Sequence, residues 1–307
     1  MSTPETIYVL GSGAIGLALS AHLADAGRAV VAVRTSQRAV RRHTVIVTAR
    51  NGASQVSAPV DTVSLANMRS VDGTMVVATK SYANPALAKE LADKGASGPV
   101  VVMQNGIGVE EPFLAADCFS GVYRCVLYLT SQATAEYEFA VRPVNSSPVG
   151  EVDGSPTGLQ QCVDALTTDG FPLHAEENIT RQVWKKTIAN AVFNSICPLL
   201  DVDNGIFARD DEVAMLARDV VGECVSLTDR LELGLTEVEL MDQIMRISKA
   251  SDGQFISTLR DIRGGNPTEI ESLNLKIAAV AATMRPRVHV PRVEQLGRLI
   301  LAKSHGG

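Results

Sequence analysis

The segment Gly11-Ser12-Gly13-Ala14-Ile15-Gly16 constrains the fold of this chain more than any other. A bare GxGxxG match is weak, because glycine serves turns everywhere. Here the flanks supply the context: a β-rich run, Ile7–Leu10, immediately before; a helical pattern over residues 15–26, closed by Gly27, after; then a second β-rich run at 29–33. The first glycine permits a tight turn, and the second lets backbone approach a pyrophosphate. The third lets helix and strand pack closely, with the helix N-terminus facing the anion. A purely structural turn is the plain alternative. The complete strand–turn–helix–strand context favours a nucleotide site formed by Gly11, Ser12, Gly13, Ala14, Ile15 and Gly16.

The same alternation continues through the first half. Residues 74–78 and 99–103 read as strands around a helical segment at 84–94, and antiparallel strands are expected within 121–152. Repeated strand and helix imply a parallel sheet covered on both faces. From about residue 178 strand signals nearly vanish, and helical periodicity runs through 179–199, 211–233, 236–248 and 269–284. The expected architecture is α/β: a Rossmann-type doubly wound parallel sheet over residues 1–177, then an all-helical domain over 178–307, joined near 171–178. Gly306-Gly307 reads as a frayed tail. A cleft between the domains is the expected substrate site.

The end of the second strand narrows the cofactor. An NAD site usually places Asp or Glu there, on the ribose hydroxyls. This chain has Val33-Arg34-Thr35-Ser36, with Arg38, Arg41 and Arg42 close behind and His43 in the same basic stretch, read as a loop. Arg34 can pair bidentately with a 2′-phosphate, and no carboxylate stands by to repel one. A solvated basic loop is the alternative, and NADP is favoured.

Composition excludes more than it selects. The 307 residues suit two domains, and 46% hydrophobic with 20% charged residues is ordinary for a globular chain. A net charge of −6 and a pI near 5.5 argue against nucleic acid as a partner. Ile7–Leu10 is too short for a signal segment, and no later run is long and apolar enough for a membrane span. Cys118, Cys125, Cys162, Cys197 and Cys224 lie far apart, without a CxxC pair. Neither a disulfide framework nor a metal site is expected, Cys197 reads as core, and a reducing cytoplasm fits best.

A second constellation opens the helical half. Lys186, Asn190 and Asn194 stand four residues apart and share one helix face, among apolar Trp184, Ile188, Val192 and Phe193. Asparagine competes with its own backbone in helices, so two on a half-apolar face suggest hydrogen bonds to a ligand. A mildly polar exposed stripe is the alternative, and spacing alone does not choose. A third cluster runs from Ser257 through Asp261 to Thr268-Glu269-Ile270, where Glu269 follows a Gly-Gly-Asn-Pro loop and suits a helix start.

Taken in order, these residues resemble the ketopantoate reductase (2-dehydropantoate 2-reductase) family over nearly the whole chain. The likeness rests on the glycine turn, Arg34, Lys80 after a later strand and the Gln104-Asn105-Gly106-Ile107-Gly108 segment. It continues through Trp184, Lys186, Asn190 and Asn194, then Asn204-Gly205, Ser257 with Asp261, Thr268-Glu269-Ile270 and Val290-Pro291. The resemblance implies an NADPH-dependent reduction of 2-dehydropantoate to (R)-pantoate, on the way to coenzyme A, with a small-molecule 2-oxo acid as partner and a homodimer left open. It implies Lys186 as general acid. Asn190, Asn194, Asn204 and Ser257 would hold substrate, and Asn105 would bridge substrate and nicotinamide ribose. Glu269 would contact the cofactor, and Arg34 and Lys80 its adenosine-phosphate end.

The chemistry agrees: ketone reduction needs a hydride donor and a proton donor where alkoxide charge develops. The histidines, His22, His43, His174, His289 and His305, fall outside the matching segments. Departures concern the loops. Residues 135–142 replace the family's usual H-x-G-x-G run, Asn266-Pro267 stand where a basic residue usually precedes TEI, and Leu273-Asn274-Leu275 replaces LNG. Alternatives are therefore another 2-oxo acid, carbonyl or imine, the 3-hydroxyacid dehydrogenases with their similar K-x3-N helix, and a non-catalytic NADP-binding protein.

Overall fold

The computed structural model describes residues 5–35, 41–49, 52 and 54–305. Ser36 and Arg38 of the basic stretch, and Gly306-Gly307, lie outside them. The chain divides into two compact units: Met1–Gln104 with Val109–Ile179, and Asn105–Gly108 with Thr180–Gly307.

The first unit is built on a mixed sheet. Its strands are β1 (Ile7–Leu10), β2 (Val30–Arg34), β3 (Arg41–Ala49), β4 (Gln55–Ser64), β5 (Thr74–Val77), β6 (Val100–Val102), β7 (Val122–Cys125), β8 (Leu129–Ala135), β9 (Glu138–Pro143), β10 (Ser147–Asp153) and β11 (Leu173–Ala175). Its helices are α1 (Ala14–Asp25), α2 (Asn84–Asp93), α3 (Glu111–Ala116) and α4 (Pro156–Leu166). The strand order is β11-β10-β7-β6-β5-β1-β2-β4-β3-β9-β8. Strands β7, β6, β5, β1, β2 and β4 run parallel in succession, whereas β3–β4, β8–β9 and β7–β10 pair antiparallel.

Alternation along the short central strands sorts their side chains into two cores. Ile7, Val9, Val76 and Val101 join Leu17, Leu19 and Leu23 of α1 on one face. Leu10, Met75, Val77, Val100 and Val102 join Leu87 and Leu91 of α2 and Phe113 of α3 on the other. Two covered faces explain why these strands read as unbroken Val-rich runs.

Three features depart from the sequence reading. The stretch around His43, read as a basic loop, is strand β3, and the imidazole stacks on Tyr137 with ring centroids 3.9 Å apart. The junction expected at 171–178 contains β11, which pairs with β10. Helix α1 is buried nearly all round rather than on one stripe, because β3, β4, β8 and β9 lie against it as well as β1 and β2. Its one deeply buried hydroxyl, Ser20, is satisfied by donating to Gly16 O at 2.8 Å.

The second unit is helical: α5 (Ile179–Leu200), α6 (Ile206–Arg209), α7 (Asp211–Arg230), α8 (Glu237–Ala250), α9 (Ser257–Arg263), α10 (Asn274–Thr283) and α11 (Pro291–His305). Trp184, Ile188, Val192 and Phe193 of α5 pack with Val220, Val221 and Leu227 of α7 and Ile277 of α10. Asp210 caps α7 through the backbone N–H groups of Glu212 and Val213, and Thr236 caps α8 through Glu239. The helix expected over 269–284 is broken: a 3₁₀ turn at Ile270–Ser272 precedes α10. The carbonyl of Ser272 accepts from Ile107 N at 3.0 Å, so it is spent outside the helical ladder.

Candidate functional site

Neighbouring strands of the first unit end at one edge of its sheet, and the candidate residues follow those ends. Gly11 leaves β1 with φ +119°, a conformation that favours glycine. A Cβ there would lie 2.7 Å from Ala78 C and Thr79 N of the loop after β5. A Cβ on Gly16 would run into the Gly11 carbonyl oxygen. Gly13 differs, because a Cβ added to it meets no atom within 4 Å. Protein packing therefore demands the first and third glycines but not the second, which is open to a ligand's approach. Helix α1 starts at this point with no side-chain cap and no acidic residue in its first turn, so its first N–H groups remain available to an anion. Since β2 and β5 flank β1 on opposite sides, this edge is also the topological switch point at which such sheets bind ligands.

Arg34 ends β2 in register with Ser64 of β4. Its Nε and the Ser64 Oγ are both buried without a hydrogen-bond partner among the described residues. Buried donors of this kind fit a ligand that brings acceptors, such as a phosphate. Lys80 follows β5 directly, half-buried, at the start of a 3₁₀ turn.

The Asn105–Gly108 loop belongs to the helical unit. Gly106 has φ +104°, and a Cβ there would lie 2.5 Å from Ser272 O. The Ser272 hydroxyl donates to Glu269 O at 2.9 Å. Asn105 and Glu269, far apart in sequence, are thus held on adjoining turns of one unit.

Lys186, Asn190 and Asn194 lie on α5, the first two half-buried and the third buried. On the same helix Lys185 and Arg181 are both occupied by Glu239, each at 2.6 Å. Asn194 Nδ2 donates to Asn190 O at 2.9 Å, and Asn194 Oδ1 accepts from Thr258 Oγ1 at 2.7 Å. This leaves the asparagine one amide N–H for a ligand. Thr258, which sequence reasoning missed, fastens the start of α9 to α5 and with it the exposed Ser257. Asn204 is tied through its backbone, its N donating to Gln254 O at 2.9 Å and its O accepting from Ser248 Oγ at 2.8 Å. Its own Oδ1 is buried and unpartnered among the described residues.

Asp203 secures that turn. It pairs with Arg209 at 2.7 Å and accepts from Gly205 N at 2.7 Å and Gly253 N at 3.1 Å. The Arg209 bond, helped by those N–H groups, holds the carboxyl down at about 2. A depressed carboxylate stabilises the fold above its unfolded value near 3.8, and that contribution fades as pH falls towards about 2. We expect the Tm difference between wild type and Asp203→Asn to be largest near neutrality and to shrink across that window. A difference that stays constant with pH would contradict the pairing.

Burial pushes the Cys162 and Cys197 thiols up to about 12 and raises Cys224 as well, so these cysteines serve as core. Among the described residues no cluster of three metal-ligating side chains occurs, and no helix is long and apolar enough to cross a membrane.

A Rossmann-type sheet with a nucleotide turn, joined to a helical unit carrying a lysine–asparagine face, defines an oxidoreductase. Residues 7–144 match the family model described as ketopantoate reductase PanE/ApbA, and residues 178–304 match its C-terminal model. The chain belongs to the ketopantoate reductase family. It is 26% identical over 283 residues to the 2-dehydropantoate 2-reductase of Pyrococcus abyssi, covering 90% of each chain. Among solved structures it is similar to a D-mandelate dehydrogenase in a ternary complex with NADH and anilino(oxo)acetate (TM-score 0.82, 19% identity, 98% of this chain and 99% of that one). It is also similar to a dimeric ketopantoate reductase from Staphylococcus aureus (TM-score 0.78, 18% identity, 98% and 99% covered). At those identities the structural likeness speaks for the fold.

Proposed function

We propose that the chain reduces the 2-oxo group of 2-dehydropantoate to (R)-pantoate with NADPH. The observation that carries this reading is the arrangement around α5. Lys186 shares a helix face with Asn190 and Asn194, and hydrogen bonds from Thr258 and Gln254 gather Ser257 and Asn204 into the same unit. NADPH, when bound, supplies the hydride. Its pyrophosphate suits the turn from Gly11 through Ser12, Gly13, Ala14 and Ile15 to Gly16, while Arg34 and Lys80 suit the 2′-phosphate end, and Asn105 and Glu269 belong to the nicotinamide end. Lys186 protonates the oxygen of the reacting carbonyl, the place where negative charge develops. Asn190, Asn194, Asn204 and Ser257 orient the substrate without adding charge that would compete with the lysine. By analogy with the Staphylococcus aureus enzyme we extend the reading to a homodimer, and the buried free thiols suit a reducing cytoplasm.

A second substrate reading has support of its own. The structural likeness to D-mandelate dehydrogenase and the replaced loop at 135–142 both favour another 2-oxo acid on the same machinery. One experiment separates them: kcat/KM across a panel of 2-oxo acids that includes 2-dehydropantoate and phenylglyoxylate, with NADPH and NADH side by side. The first reading expects 2-dehydropantoate with NADPH to lead the panel by about tenfold or more, the discrimination a matched pocket supplies. A leading aromatic acid would move the assignment to the second reading. A preference for NADH would remove Arg34 from its role.

A further inference from the structure

Gln104 is the one polar residue of the Gln104-Asn105-Gly106 segment to which the reaction assigns nothing, yet it is buried, at 7% exposure. Its partner is Asn84, 1% exposed at the start of α2. The two amides bond reciprocally, Asn84 Nδ2 donating to Gln104 Oε1 at 2.6 Å and Gln104 Nε2 to Asn84 Oδ1 at 2.8 Å. Gln104 Nε2 also reaches Thr79 O at 2.7 Å, and Asn84 Nδ2 reaches Val109 O at 2.7 Å. Gln104 and Val109 are the residues between which Asn105–Gly108 leave the first unit. Asn84 therefore ties both feet of that loop to one side chain.

A second tie crosses the same feet one step further out. Arg124 of β7, 2% exposed, donates from Nη1 to Val102 O at 2.9 Å, and its Nε lies 3.1 Å from Glu110 Oε2. Val102 precedes the loop and Glu110 follows it. Two polar ties between interior side chains are costly to leave half-satisfied, so they hold one spacing of the loop's feet firmly.

We infer that Asn84, acting through Gln104 and Val109, is a positioning residue that sets where Asn105 stands; this rests on Asn105 being a cofactor residue, as proposed above. The neighbouring fold alone would be content with an apolar pair at 84 and 104. A clasp that includes both feet of the loop has a consequence for the ligand that the loop meets.

The test is a double-mutant cycle read as NADPH dissociation constants by nicotinamide fluorescence, using wild type, Asn84→Ala, Asn105→Ala and the double variant of the full chain. Asn84→Ala is expected to weaken NADPH roughly tenfold, yet to add no more than about twofold once Asn105 is already alanine, the non-additivity of residues in one network. A structural role alone lowers Tm and leaves the two losses multiplicative, which overturns the inference. Unweakened binding by Asn84→Ala overturns it equally. If Asn105→Ala binds NADPH like wild type, the assignment of Asn105 has failed and the clasp's role goes with it. Should Asn84→Ala not fold, Asn84→Ser enters the same cycle with the same expectations, since its hydroxyl restores one bond at the clasp.

Discussion

Lys186→Ala is expected to lower kcat by about 10²- to 10⁴-fold, the range for a positioned general acid, while NADPH binds within roughly twofold of wild type. The lysine lies half-buried in the middle of α5, a helix whose other face is locked into the core by Trp184, Ile188 and Val192. Truncating it removes a polar tip and leaves that packing intact, so the loss should appear in turnover and hardly in Tm. Its neighbours cannot substitute, because Lys185 and Arg181 are both engaged by Glu239. Lys186→Arg should not rescue the rate: a guanidinium stays charged and gives up no proton at neutral pH. Stopped-flow or steady-state oxidation of NADPH with the best oxo acid reads the effect directly. Unchanged kcat in Lys186→Ala would remove the lysine from the chemistry.

The second large effect separates the glycines of the nucleotide turn. Gly16→Ala forces a methyl group into the Gly11 carbonyl oxygen, with backbone on both sides and nothing flexible to yield. Overpacking of this kind costs about 1–3 kcal/mol, more than the ~1 kcal/mol that alanine gains over glycine within a helix. Tm should fall by several degrees, at about 2–4 °C per kcal/mol for a chain of this order of size, and NADPH binding should fall with it. Gly13→Ala meets no protein atom within 4 Å, so its Tm should stay near that of wild type. Its affinity for NADPH should nevertheless drop by about tenfold or more, because the methyl group stands where a pyrophosphate must come close. Scanning calorimetry with and without NADPH distinguishes the two variants. Gly13→Ala that binds NADPH normally would reduce the turn to a structural element.

These contrasts mark how far local pattern carries. The glycine turn and its flanks were legible because each of the features that define them lies within about thirty residues of chain. The helical half was legible from its periodicity, and the Lys186–Asn190–Asn194 face from a spacing of four. Strand β3 was not. Its exposed Arg41 and Arg42 hide a strand whose inward residues, Val45 and Val47, begin only later. It exists because β4 and β9 pair with it, and such pairing has no local signature. The near-complete burial of α1 likewise depends on strands that arrive from elsewhere in the chain.

The sequence by itself determined a dinucleotide turn, a basic rather than acidic end to the second strand, and a lysine with two asparagines on one helical face. Each of these is a spacing of residue types along a single element, and the backbone turns spacing into geometry at once. Only the tertiary structure decided how those residues are held. It gave Asn194 a partner in Thr258, drew the Ser272 carbonyl out of a continuous helix to meet Ile107, and joined Asn84 to both feet of the Asn105 loop. A hydrogen bond between residues twenty or sixty positions apart exists only once the chain has closed the loop between them, so no window on the sequence contains it.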